Sequence, residues 1–91
     1  MLRVQFSKKA SLEYFEIWEY IAKDNLFYSN EVLNKIDNSI DIILQFPFIW
    51  KEIDSWIRIV VEPNYKFKIV YEVRNNYIYI LSIFKYKNSW E

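Results

Sequence analysis

The chain has 91 residues and no cysteine, histidine or glycine; hydrophobic residues make up 53% of it, and its 12 Lys/Arg balance its 12 Asp/Glu. That size and apolar content fit one small domain, residues 1–91, with a real core. The missing residue types exclude disulfide frameworks and thiol chemistry, serine triads, Cys–His pairs and His-based zinc sites, P-loops and dinucleotide fingerprints.

Any catalysis must therefore rest on Lys, Arg, Tyr, Asp or Glu. No apolar run is long enough to span a membrane. The opening MLRVQFSKK carries charge with no apolar stretch after it, so it is not read as a signal peptide. The expectation is a cytoplasmic protein with no membrane partner, no cofactor and no metal.

Leu2–Phe6 is a short strand candidate, and Ser7 can cap the helix after it. From Lys8 to about Lys23, Ala10, Tyr14, Ile17, Trp18 and Ile21 recur at helical spacing, with Glu13, Glu16 and Glu19 expected mainly outward. Asp24-Asn25 interrupts this pattern. A second helix is predicted from roughly Tyr28 to Gln45, with Leu33, Ile36, Ile40, Ile43 and Leu44 as its stripe. Pro47 ends it, because the residue before proline avoids helical geometry. The short connection makes an antiparallel helix hairpin. Residues 47–55 read as a loop, and Ile57–Val61 as a strand that stops at Pro63-Asn64.

Tyr65–Lys87 reads as a β-hairpin. Tyr65, Phe67, Ile69, Tyr71 and Val73 alternate with their neighbours, the period of a strand. Asn75-Asn76 suits a two-residue turn, since Asn tolerates left-handed backbone. That turn would pair Val73 with Ile78, Tyr71 with Ile80, Ile69 with Ser82 and Phe67 with Phe84 on one apolar face. The other face would pair Val70 with Leu81, Lys68 with Ile83 and Lys66 with Lys85, the last a repulsive pair. The predicted architecture is α+β, in the order βααβββ. The helix hairpin packs on one face of a small, mainly antiparallel sheet.

Charge is unevenly spread. Residues 1–63 hold seven Lys/Arg against ten Asp/Glu, and residues 64–91 hold five against two. This places a modest positive field on the hairpin. Arg58, Lys66, Lys68, Lys85 and Lys87, with Tyr86 among them, form the candidate site for a target protein or nucleic acid. Strands also carry lysines simply to solvate a wet face. The apolar strip Val70, Leu81 and Ile83, flanked by those lysines, is the candidate surface for a protein partner. Trp50, Trp56 and Trp90 fall in loop and tail, where they either stack on bases or cap the edge of the core.

The order of these elements and several strings resemble the RelE/ParE superfamily of bacterial type II toxin–antitoxin toxins. Ile17–Asn25, IWEYIAKDN, looks like the end of the first helix in ParE-like members. Ile40–Trp50, IDIILQFPFIW, is similar to their second helix and its proline stop. IRIVV, YKFKIVYEV and YIYILSIFKYK resemble the three C-terminal strands. The resemblance spans nearly the whole chain and implies a toxin neutralised by a cognate antitoxin.

Two mechanisms exist in the superfamily: RelE-like cleavage of ribosome-bound mRNA, and ParE-like inhibition of DNA gyrase without nuclease residues. By resemblance, Arg58 lies in the first of the C-terminal strands. Lys68 stands where an arginine is common, and Lys85 at a basic or histidine position. Tyr86 replaces a key arginine, and a later tyrosine is absent. Cleavage needs a deprotonated 2′-hydroxyl, a stabilised phosphorane charge and a protonated leaving oxygen. Arg58 and Lys85 would supply charge, Lys68 a base if neighbouring cations lowered its pKa, and Tyr86 a proton. The incomplete set puts gyrase binding first, a ribosome-dependent endoribonuclease second, and a non-toxic protein-binding module third.

Overall fold

The structure, a computed structural model, describes residues 2–85. Tyr86, Lys87 and Trp90 lie outside the described residues. Seven elements follow one another: β1 (Arg3–Phe6), α1 (Lys8–Ala22), α2 (Leu26–Gln45), β2 (Lys51–Asp54), β3 (Ile57–Val61), β4 (Lys68–Val73) and β5 (Tyr77–Phe84). The strands form one sheet in the order β1-β5-β4-β3-β2. Among the described residues, only the β1–β5 pairing is parallel. The α+β class and the helix hairpin on one sheet face are as expected.

The helix ends follow local chemistry. The Ser7 hydroxyl accepts from the Ala10 N–H at 2.9 Å, capping α1. Asn25 does the same for Tyr28 N–H at 2.9 Å, so α2 starts at Leu26, slightly before the periodicity alone suggests. The α2 stripe holds Val32, Ile36, Ile40 and Ile43 against Ile69, Tyr71, Ile78, Ile80 and Ile83 of the hairpin. These side chains are almost wholly buried, and together they are the main driving force for folding. Glu13 corrects the expectation of an outward acidic face, because its carboxylate reaches β5.

β2 is an addition to the predicted order, giving βααββββ. Its sequence KEID carries no alternation, because all four residues are exposed on a sheet edge. Without a buried face there is no period-two signal to read.

The hairpin begins with the expected register: Val73↔Ile78 and Tyr71↔Ile80. It then shifts at Leu81, an extra residue on β5, and continues as Val70↔Ser82, Ile69↔Ile83 and Lys68↔Phe84. The predicted pairs Ile69–Ser82, Phe67–Phe84, Val70–Leu81 and Lys68–Ile83 are thereby displaced. The bulge sits where β1 ends and Ser7 takes over. Ser7 N–H donates to Ile80 O at 2.9 Å and its hydroxyl to Leu81 O at 3.0 Å. One extra residue turns Ile83 into the core, as bulges re-aim side chains.

The Lys66–Lys85 pair does not form either. Lys66 has φ 67° and precedes β4. The turn before it is held by Glu62, whose buried carboxylate accepts from Asn64 N–H at 2.7 Å and Tyr65 N–H at 2.6 Å.

Candidate functional site

The register divides the predicted basic group. Arg58 is paired with Tyr71, and Lys68 with Val61 and Phe84. Directly paired residues share a face, and successive residues alternate. Tyr71 and Ile69 belong to the core beneath the helices, so Arg58 projects to the helix side and Lys68 to the opposite side.

Arg58 is taken up locally. Its Nη1 donates to Trp50 O at 2.7 Å, and its guanidinium lies 5.5 Å from the Phe48 ring centre. It thus holds the α2–β2 connection to the sheet, beside the Tyr71 hydroxyl, which donates to Pro47 O at 2.7 Å. Burial pushes the Tyr71 hydroxyl up to about 12, with Arg58 pulling the other way. Arg58 Nε and Trp50 Nε1 are buried donors with no acceptor among the described residues. Trp50 packs against the core, the second of its two readings, while Trp56 is exposed at φ 65° in the β2–β3 turn.

The three described lysines stay near the open end of the hairpin but not on one face. Lys68 Nζ lies 5.7 Å from the Phe84 ring centre and Lys85 Nζ 5.5 Å from that of Phe67. Lys66 is exposed in its turn.

The strip Val70, Leu81, Ile83 is corrected. Val70 is 0% exposed and Ile83 1%, so no accessible strip joins them. The bulge moves Ile83 to the core face, while Val70 is buried on the other side of the sheet.

An apolar groove is accessible elsewhere on the molecule. It has a volume of about 610 Å³ and lies between the helix hairpin and the end of β5. Ile17 and Tyr20 from α1, Tyr28 and Val32 from α2, and Tyr65 and Phe67 before β4 wall it. Tyr28 and Tyr65 meet edge to face, with ring centres 5.4 Å apart. Glu13, Glu16 and Lys85 supply charge at its margin. Sequence reading missed the groove because Ile17 and Phe67 read as core-face positions while Tyr20, Tyr28 and Val32 fell outside the helix stripes. The exposure of Tyr20 and Tyr28 depends on how far the helices splay, which periodicity does not encode.

Among the described residues, no group of three or more Asp or Glu converges as a metal site, and no helix is long and apolar enough to cross a membrane.

The family model for the ParE toxin of type II toxin–antitoxin system, parDE, matches residues 4–90. The chain belongs to the ParE toxin family. A solved chain described as the chromosomal ParDE TA system from P. aeruginosa has the same fold. Its TM-score is 0.80 at 15% identity, and the match covers 96% of this chain and 98% of that one. No curated protein matches the sequence significantly. The two-helix hairpin, the five-stranded sheet and the groove between them are features available for recognition.

Proposed function

We propose that this chain is a cytoplasmic growth-inhibiting toxin that acts by binding DNA gyrase, and that a cognate antitoxin neutralises it. The observation that carries the binding mechanism is the placement of Arg58 and Lys68 on opposite faces of the sheet. A phosphate cannot be held from both sides of a sheet. Charge stabilisation in phosphoryl chemistry needs donors converging within hydrogen-bond distance of one oxygen set. The arrangement therefore favours recognition over RNA cleavage. Lys66, Lys68 and Lys85 remain the target-facing cations in this reading. They would act by steering and complementing an acidic surface.

The antitoxin in this reading lays an apolar helix into the groove, with side chains meeting Ile17, Tyr20 and Tyr28. Helix-in-groove docking needs an open apolar cleft, and this one is walled by aromatic residues of the kind that dominate binding energy. Tyr20 is 76% exposed, so Tyr20→Ala should leave folding intact and weaken antitoxin binding by about tenfold or more.

A supercoiling assay with purified chain tests the gyrase assignment. Inhibition at stoichiometric toxin, relieved by the antitoxin, is the expected result. Full supercoiling activity at excess toxin would sink it. Specific primer-extension stops on ribosome-bound message would instead establish the nuclease.

A further inference from the structure

β2 is an open edge: among the described residues it pairs with β3 and with nothing on its other side. We propose that this edge is a self-association surface. Two copies would pair β2 against β2 antiparallel about a two-fold axis, joining their five-stranded sheets into one. Charge register, bulge geometry and exposed apolar surface at the same edge all favour such pairing.

Lys51 is in register with Ile59, and Asp54 with Ile57. Ile57 and Ile59 lie two apart on β3 and share a face, so Lys51 and Asp54 share that face as well. In an unbulged strand, residues three apart would face opposite ways. The register shift between Glu52 and Asp54 brings them to one side. When such a strand pairs with its own copy, centred between Glu52 and Ile53, Lys51 of one chain stands opposite Asp54 of the other. Two-fold symmetry repeats the pair.

Charges on an edge normally guard it by setting like against like when two edges approach. Lys51 and Asp54 do the reverse against a second copy. Among the described residues, neither has an ion-pair partner within the chain. Asp54 Oδ1 accepts from the adjacent Ser55 N–H at 2.7 Å, leaving the other carboxylate oxygen for the lysine. Apolar area is concentrated nearby, with Phe48, Ile49 and Ile53 all exposed. Burying it against its symmetry mate would add to the backbone hydrogen bonds of the new ladder.

Charge swaps test the proposal in the purified chain, free of any partner. Sedimentation velocity should show a concentration-dependent dimer. Lys51→Asp and Asp54→Lys should each weaken self-association by about tenfold, because each sets two like-charge pairs opposite one another. Mixing the two single variants should give a heterodimer, since the two acids of the K51D edge then stand opposite the two bases of the D54K edge. The double variant K51D/D54K should recover wild-type association. Circular dichroism controls for folding, and amide exchange at Lys51–Asp54 should slow as wild-type concentration rises. A wild-type chain that stays monomeric, single variants that associate like the wild type, or a mixture no tighter than its parents would each overturn the proposal. So would β2 amides that gain protection only when an antitoxin is added, which would assign the edge to that partner.

Discussion

The Glu13 carboxylate accepts from the Ser82 hydroxyl at 2.9 Å and from the Ile83 N–H at 3.0 Å, joining α1 to β5 beyond the end of β1. β1 covers β5 only through Ile80, so the next backbone donors of β5 need another acceptor. Glu13→Ala removes that acceptor from two groups at once, one of them on fully buried Ser82. It should cost about 1–3 kcal/mol in urea unfolding with an unchanged slope. Ser82→Ala should cost less, because Ile83 N–H keeps its partner.

Tyr71 sets an alkaline limit on stability. Its hydroxyl is raised from the ordinary 10.0 to about 12 because burial penalises the phenolate. A folded state that holds the proton more tightly than the unfolded chain is fully stabilised below the unfolded value. That stabilisation is lost as pH climbs through the folded one. Stability should therefore hold below about pH 10 and fall toward about pH 12. Tyr14, raised by burial and then by its bond to Asp37, acts in the same direction. Tyr71→Phe should cost about 1 kcal/mol at neutral pH through the lost bond to Pro47. It should also flatten part of the alkaline decline, read by thermal melts across pH.

Arg58 and Lys68 should separate in a mutational test. Arg58→Ala removes a charged hydrogen bond to Trp50 O and should destabilise by about 1.5–3 kcal/mol. Lys68→Ala removes one contact with the Phe84 ring and should cost no more than about 1 kcal/mol. On the proposed binding mechanism, gyrase inhibition should nonetheless fall in Lys68→Ala, with a salt-dependent loss of affinity. Equal stability losses at the two positions would contradict the opposite-face arrangement.

Lys66 sits at φ 67° in a chain that contains no glycine. A left-handed residue with a Cβ costs about 1–2 kcal/mol, partly offset by the greater freedom glycine has when unfolded. Lys66→Gly should raise stability by about 0.5–1 kcal/mol. Lys66→Val should lower it, since a β-branched side chain tolerates that backbone least. Denaturation midpoints of the three proteins check both.

Local chemistry along the chain determined the elements whose signals are local. Ser7 caps, Pro47 stops α2, the stripe Ile36, Ile40, Ile43 repeats at helical spacing, and Ile69, Tyr71, Val73 alternate. These signals need only a few neighbouring residues, so the α+β class and the family strings were legible. The tertiary structure alone decided what hangs on long-range register. The bulge at Leu81 depends on Ser7, 74 positions away, and on Glu13 reaching Ser82, 69 positions away. That single extra residue moved Ile83 into the core and removed the expected strip. Placing Arg58 beneath the α2–β2 connection, opposite Lys68, needed the β3–β4 ladder to be aligned against the helices. β2 had no periodicity to show because an edge strand with four exposed residues buries nothing. Periodicity tells which residues alternate; only packing between distant segments fixes which side each alternation faces.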